Sequence, residues 1–98
     1  MARVDTNRAD RSAADGPATL ALNALVWVLG EPDRAGRLLA LTGLDPADLR
    51  AQAGEPATLA ATLGFLEANE ADLVACADAL GVSPTALVSA RAALEEGR

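Results

Sequence analysis

The sequence predicts an all-α fold, a compact bundle of five to six short helices that follows a disordered N-terminal arm. Apolar residues recur at helical spacing after residue 16, no stretch alternates as a β-strand would, and each proline stands where a helix is expected to begin. A chain of 98 residues forms one domain at most. We therefore expect residues 1–15 to form the arm and residues 16–98 to form a single α-helical domain.

The expected arm is polar and has no apolar periodicity. Its charges cancel, and this composition is typical of a disordered segment. It contains no apolar stretch of the kind found in signal peptides, so we expect the protein to lie in the cytoplasm. The charged residues of the arm are Arg3, Asp5, Arg8, Asp10, Arg11 and Asp15.

A repeated arrangement of glycine, capping residue and proline divides the rest of the chain into helices. Proline suits the first position of a helix because its missing N–H would be unpaired there. A preceding Asp or Ser can cap the free N–H groups, and the upstream glycine suits the left-handed turn that ends the preceding helix. One boundary lacks proline, and Asn69 is the expected cap there. The predicted helices are about Pro17–Leu29, Pro32–Leu41, Pro46–Ala53, Pro56–Ala68, Glu70–Leu80 and Pro84–Glu95.

The first predicted helix is apolar on almost every side, with only Thr19 and Asn23 interrupting the run from Ala18 to Leu29. A helix that is hydrophobic all round has to be covered on all faces. It is too short to cross a bilayer, which needs about 20 apolar residues. We therefore predict that it is the central helix of the bundle, with Trp27 in the core. If the other helices leave one face open, another chain must cover that face.

Two glycines, Gly36 and Gly64, fall inside predicted helices rather than at their ends. A glycine in a helix interior costs about 1 kcal/mol relative to alanine. We therefore expect each of them to lie where two helices approach closely.

The charge balance is acidic and argues against nucleic-acid binding. The chain has 14 Asp and Glu against 8 Arg, no Lys and no His, for a net charge of −6. Proteins that bind nucleic acids normally display a basic face that neutralises phosphates. Most acids outside the arm lie at the start of a predicted helix, where the helix dipole stabilises each by about 0.3–1 kcal/mol. These acids are Glu31, Asp33, Asp45, Asp48, Glu55, Glu70 and Asp72.

The residue inventory argues against an enzyme, and we predict no catalytic, cofactor-binding or metal-binding residue. General acid–base catalysis near neutral pH usually employs His, or a carboxyl or Lys with a shifted pKa. The lone cysteine, Cys76, lies at helical spacing between leucines and is expected in the core, while Ser83 is expected to cap a helix. The acids Glu67, Glu70 and Asp72 straddle a helix boundary, and this spacing is not that of a metal site.

Residues 73–95 have the outline of a helix-turn-helix, with Ala77 at the crossing and Gly81 in the turn. The second of these helices offers Arg91 as its only base, so the acidic charge disfavours DNA binding. By elimination we favour a non-catalytic protein-interaction or regulatory module. Its partner would be another protein or a second copy of the chain, in a homodimer, and we expect no nucleic acid and no membrane.

The run Arg37–Arg50, with its Leu-Thr-Gly-Leu-Asp-Pro segment, resembles a family of short bacterial proteins, mainly alphaproteobacterial, known as a domain of unknown function. The later segments Leu63–Leu66 and Glu70–Leu73 extend the resemblance, which covers about residues 20–80. The resemblance implies a compact helical protein of the cytoplasm. It implies no catalytic residue, cofactor or partner.

Overall fold

The computed structural model describes residues 16–97, and these residues form helices joined by short turns. The expected arm, residues 1–15, lies outside the described residues. The all-α prediction is confirmed, and the predicted helix bounds hold to within two residues. The helices are α1 (Pro17–Leu29), α2 (Pro32–Thr42), α3 (Pro46–Ala51), α4 (Pro56–Glu67), α5 (Glu70–Leu80) and α6 (Pro84–Gly97).

Side-chain caps begin several of the helices, as the sequence predicts. Asp45 accepts a hydrogen bond from the Asp48 N–H at 2.8 Å, Asn69 accepts one from the Asp72 N–H at 3.3 Å, and Ser83 accepts one from the Ala86 N–H at 3.1 Å. Each bond satisfies an amide that has no partner within its helix.

A further cap, at the start of α2, is one that the sequence does not predict. The Glu31 carboxylate accepts the Arg34 N–H at 2.8 Å. This bond lowers the pKa of the Glu31 carboxyl, because a hydrogen bond to the charged form favours ionisation.

The left-handed helix ends are confirmed at two glycines and wrong at two others. Gly43 and Gly81 have φ values of 75° and 74° and end α2 and α5. Gly30 instead has φ of −74°, and Gly54 is also outside the left-handed region. The reason at Gly30 is that its N–H bonds to the Trp27 carbonyl in a last tight turn, from which the chain continues directly into α2.

The prediction that α1 is the central helix is wrong, because α4 is the more enclosed of the two. Helix α4 packs against α1, α5 and α6 and against α2. The burial of Thr62 is possible because its hydroxyl donates to the Thr58 carbonyl at 3.0 Å and is satisfied within the helix. The buried residues of α4 are Thr58, Leu59, Ala60, Thr62, Leu63, Phe65 and Leu66.

Helix α1 contributes one face to the core and leaves another face in solvent. The inner face packs mainly against α4 and α6 and also against α5. Its buried residues are Leu20, Ala21, Ala24, Leu25 and Val28. Trp27 is half-buried against the core rather than enclosed by it. The sequence pattern therefore identified the apolar character of α1 correctly and its position in the bundle wrongly.

The expected close helix contacts at Gly36 and Gly64 are also wrong. A Cβ atom added to Gly36 would meet nothing within 4 Å, because this residue lies on the solvent face of α2. A Cβ atom on Gly64 would meet the Arg91 Cδ at 3.7 Å, an ordinary contact with a flexible side chain. Neither glycine is required by the approach of another backbone.

Candidate functional site

The outer face of α1 carries a stripe of exposed apolar side chains. Leu22, Val26 and Leu29 are 42%, 64% and 43% exposed. Their spacing of four and three residues places them on one side of the helix. Isolated exposed leucines are ordinary, but a contiguous stripe on one helix is characteristic of a binding surface. We call these three residues the α1 stripe.

A groove of about 370 Å³ runs beside the α1 stripe, between α1 on one side and α2 and α3 on the other. The stripe forms one wall of this α1 groove, and buried Leu25 and Leu49 also line it. Arg50 is the one charged residue among its lining residues. The remaining lining residues, Ala35, Leu39, Pro46 and Ala53, are apolar.

The groove exists because α3 is short and α2 contributes little to the core. Helix α3 ends at Ala51, two residues before the predicted end, and buries Leu49 alone. Helix α2 likewise buries only Leu38 among its own residues. A longer or more apolar α3 would be needed to cover the outer face of α1. The chain thus has more apolar surface on α1 than its own short helices cover.

The charges around the stripe are few. Helix α1 contains no charged residue, and it is alone in this among the helices that the structure describes. Arg50 is exposed and makes no ion pair within residues 16–97. A long arginine side chain can extend an apolar wall with its methylene groups while its guanidinium stays in water.

Trp27, the one large aromatic side chain that could anchor a partner, is already engaged within the chain. The Arg34 guanidinium lies 3.7 Å from the centre of the indole ring, and its Nη2 donates to the Trp27 carbonyl at 3.1 Å. The stacked guanidinium covers the ring face by a cation–π contact. Sequence spacing could not reveal this contact, because it joins the end of α1 to the start of α2 across a turn.

The helix-turn-helix outline of residues 73–95 is present in the structure, with α5 and α6 meeting at 99°. Arg91, the base on α6 that the sequence singles out, is held by carboxylates: it pairs with Glu67 on α4 and with Glu95 one turn further along α6. These partners raise the pKa of the Arg91 guanidinium further, because they stabilise its charged form. Using Arg91 to contact DNA would require breaking both pairs.

The nucleophile candidates occupy structural positions. Cys76 is fully buried in α5, as predicted, and burial raises the pKa of its thiol to about 11. The Ser83 hydroxyl is engaged as the cap of α6. Glu67 and Asp72 pair with different arginines, Asp72 with Arg37 at 3.2 Å. No cluster of three metal-ligating side chains occurs within the part of the chain that the structure describes.

Membrane-spanning potential is limited by helix length. Within residues 16–97, no single helix is both long enough and apolar enough to cross a bilayer, and only the α5–α6 pair reaches the required length when joined across its bend.

Comparison with known proteins identifies the family and no relative of known activity. The model of the family described as a protein of unknown function (DUF3572) matches residues 14–97, so the match extends beyond the region of resemblance in both directions and includes α6. No curated protein and no solved structure matches the chain. On this match, the chain belongs to the DUF3572 family of proteins of unknown function.

Proposed function

We propose that this protein is a non-catalytic protein-interaction module that binds the apolar face of a helix in the α1 groove. The observation that carries the proposal is the α1 stripe, in which Val26 is 64% exposed beside an apolar groove. Grooves of this kind take helices whose apolar side chains repeat every three or four residues.

The energetics of the groove favour an apolar helical partner. Complete burial of a fully exposed Val or Leu side chain contributes about 1.5–3 kcal/mol, and each of the three stripe residues, which are 42%, 64% and 43% exposed, would contribute roughly half of that. These side chains project from a helix that the core already holds, so little of their burial energy is spent on ordering this side of the interface. The groove offers a helix side chain an apolar space lined by Leu25, Leu39 and Leu49.

The structural roles of the reactive side chains support the non-catalytic part of the proposal. The Cys76 thiol is buried, Ser83 caps a helix, and Arg91 is tied between two carboxylates. None of these groups faces the α1 groove. A surface that offers apolar contact without reactive groups is suited to holding a partner in place.

The test is site-specific photocrosslinking in the cell of origin. A benzophenone amino acid replaces Val26 in one variant and Val74 in a matched control, because Val74 is also an exposed valine, on α5, outside the groove. We expect protein adducts at position 26 that are absent at position 74. Adducts at both positions in similar yield, or at neither, would refute the proposal.

A further inference from the structure

We propose that the helix bound in the α1 groove is α1 of a second copy of this chain, so that the protein is a two-fold symmetric dimer. This inference rests on the proposed function and names its partner. In a symmetric dimer the same patch is used on both subunits, so it must be complementary to itself. Helix α1 meets this requirement because its stripe projects directly beside the groove that would receive the stripe of the partner.

The second step concerns the shape of the contact. On a helix with 3.6 residues per turn, the groove lies on the side of α1 that carries Leu25, whereas Thr19 and Asn23 lie on the opposite side of the stripe. One edge of the stripe is therefore a concave apolar surface and the other is uncharged and polar. A two-fold axis that relates two such surfaces places the stripe of each copy in the groove of the other copy. One interface therefore fills both grooves.

Charge gives the third step and identifies the part of the surface through which two copies can meet. The chain carries a net charge of −6, so two copies repel each other across most of their surfaces. Since α1 has no charged residue, it is the helix through which two copies can meet without bringing carboxylates together.

These charges predict the sign of the salt dependence. The interface we propose contains no ion pair, whereas the two subunits repel each other at long range. Added salt screens that repulsion, with a Debye length that falls from about 30 Å at 0.01 M to about 8 Å at 0.15 M. Self-association should therefore become tighter as salt is added. An interface built on an Arg50–carboxylate pair would become weaker.

The experiment is sedimentation equilibrium on the purified full chain, whose monomer mass is 9.9 kDa. We expect a species of twice this mass for the wild type. Val26→Asp should weaken self-association by about tenfold or more, which corresponds to about 1.4 kcal/mol. Val74→Asp adds the same charge at an exposed valine outside the groove and should leave the association constant within about twofold. Circular dichroism spectra matching the wild type check that each variant is folded.

Each outcome decides the inference. A wild-type chain that stays monomeric at about 1 mM, an association disrupted by Val74→Asp and not by Val26→Asp, or an association that weakens as salt is added would overturn it. If the chain is monomeric but position 26 crosslinks another protein in the cell, the dimer is refuted and the interaction module stands. If position 26 also gives no specific adduct, both proposals fail.

Discussion

Gly36 within α2 and Gly43 at its end test separately how helix propensity and backbone strain affect the stability of this helix. Gly36 lies in the middle of α2 and Gly43 ends it, and a Cβ atom added at either position would meet nothing within 4 Å. The two sites differ in backbone conformation, because Gly43 has φ of 75° and Gly36 does not lie in the left-handed region. Replacing each with alanine thus separates helix propensity from backbone strain, with packing held constant.

The expected changes have opposite signs. Gly36→Ala removes the conformational freedom that a glycine has in the unfolded chain and should stabilise the protein by about 0.5–1 kcal/mol. Gly43→Ala forces an L-residue into the left-handed region, which costs about 1–2 kcal/mol, so the free energy of unfolding should fall by about 1 kcal/mol. In a domain of this size, 1 kcal/mol corresponds to a shift of about 4–8 °C in the melting temperature.

The assay is urea denaturation monitored by far-ultraviolet circular dichroism, with the wild type and both variants measured at one protein concentration. Equal m-values would show that the variants expose the same surface on unfolding. A Gly36→Ala variant less stable than the wild type would mean that another backbone does approach Gly36. Two variants with shifts of the same sign would refute the division between propensity and strain.

Three further predictions concern the core and the assembly. Because the chain has no Lys and no Tyr, Cys76 is the side chain that titrates in the alkaline range; its pKa rises from 9.0 in the unfolded state to about 11 in the folded state. Stability should therefore fall as the pH rises from 9.0 to about 11, and a Cys76→Ala variant, followed by urea denaturation, should lose this dependence. Leu63→Ala should lower the free energy of unfolding by about 2–5 kcal/mol because Leu63 is fully buried. Thr62→Val should change it by no more than about 1 kcal/mol, since only a hydrogen bond within the helix is lost. Urea denaturation measures both changes, and equal losses of stability would contradict this account. The melting temperature of the wild type should rise with protein concentration, and that of Val26→Asp should not, because only an associating native state is stabilised by mass action.

The helices themselves were predictable because their boundaries are encoded locally. A proline at the first helical position and a capping side chain before it act within one turn of the chain, so reading them requires no knowledge of tertiary structure. Two helix ends differ from their predictions by two residues: α3 ends early, and α6 continues to Gly97. The sequence pattern continues to Ala53, but the described helix stops at Ala51, where its short length leaves few hydrogen bonds to extend it.

The arrangement of the helices was less predictable because it depends on which apolar faces pack against one another in the core. Hydropathy ranks α1 above α4, since α4 contains Thr58 and Thr62 among its apolar residues. In the fold, however, both threonines are buried, and the Thr62 hydroxyl is satisfied because it donates to the backbone carbonyl of Thr58. A sequence scale assigns polarity to the side chain alone and does not include a hydrogen bond made to the preceding turn.

From the sequence, the groove could be predicted only as one of two possible outcomes. An all-apolar helix in a chain of short helices has to be covered, and the sequence leaves open whether the cover comes from the same chain. In the structure, α3 buries Leu49 and then ends, so it does not cover the outer face of α1. No sequence pattern indicates that Arg34 stacks on Trp27 and so engages the side chain that could have anchored a partner. The two residues are seven positions apart and belong to different helices.

The two apolar faces of α1 have different consequences for the protein, and this difference supports an interaction role over a purely structural one. The inner face, with Ala21, Ala24 and Val28 fully buried, is required for folding because α4 and α6 pack on it. The outer face contributes little to the stability of a single chain, since substitutions at exposed positions usually change stability by no more than about 0.5 kcal/mol. A polar residue at Val26 would therefore be tolerated by the fold and would improve solubility. The docking of a second surface, as proposed above, would explain why this position is instead a β-branched apolar residue on a helix that has no charge at all.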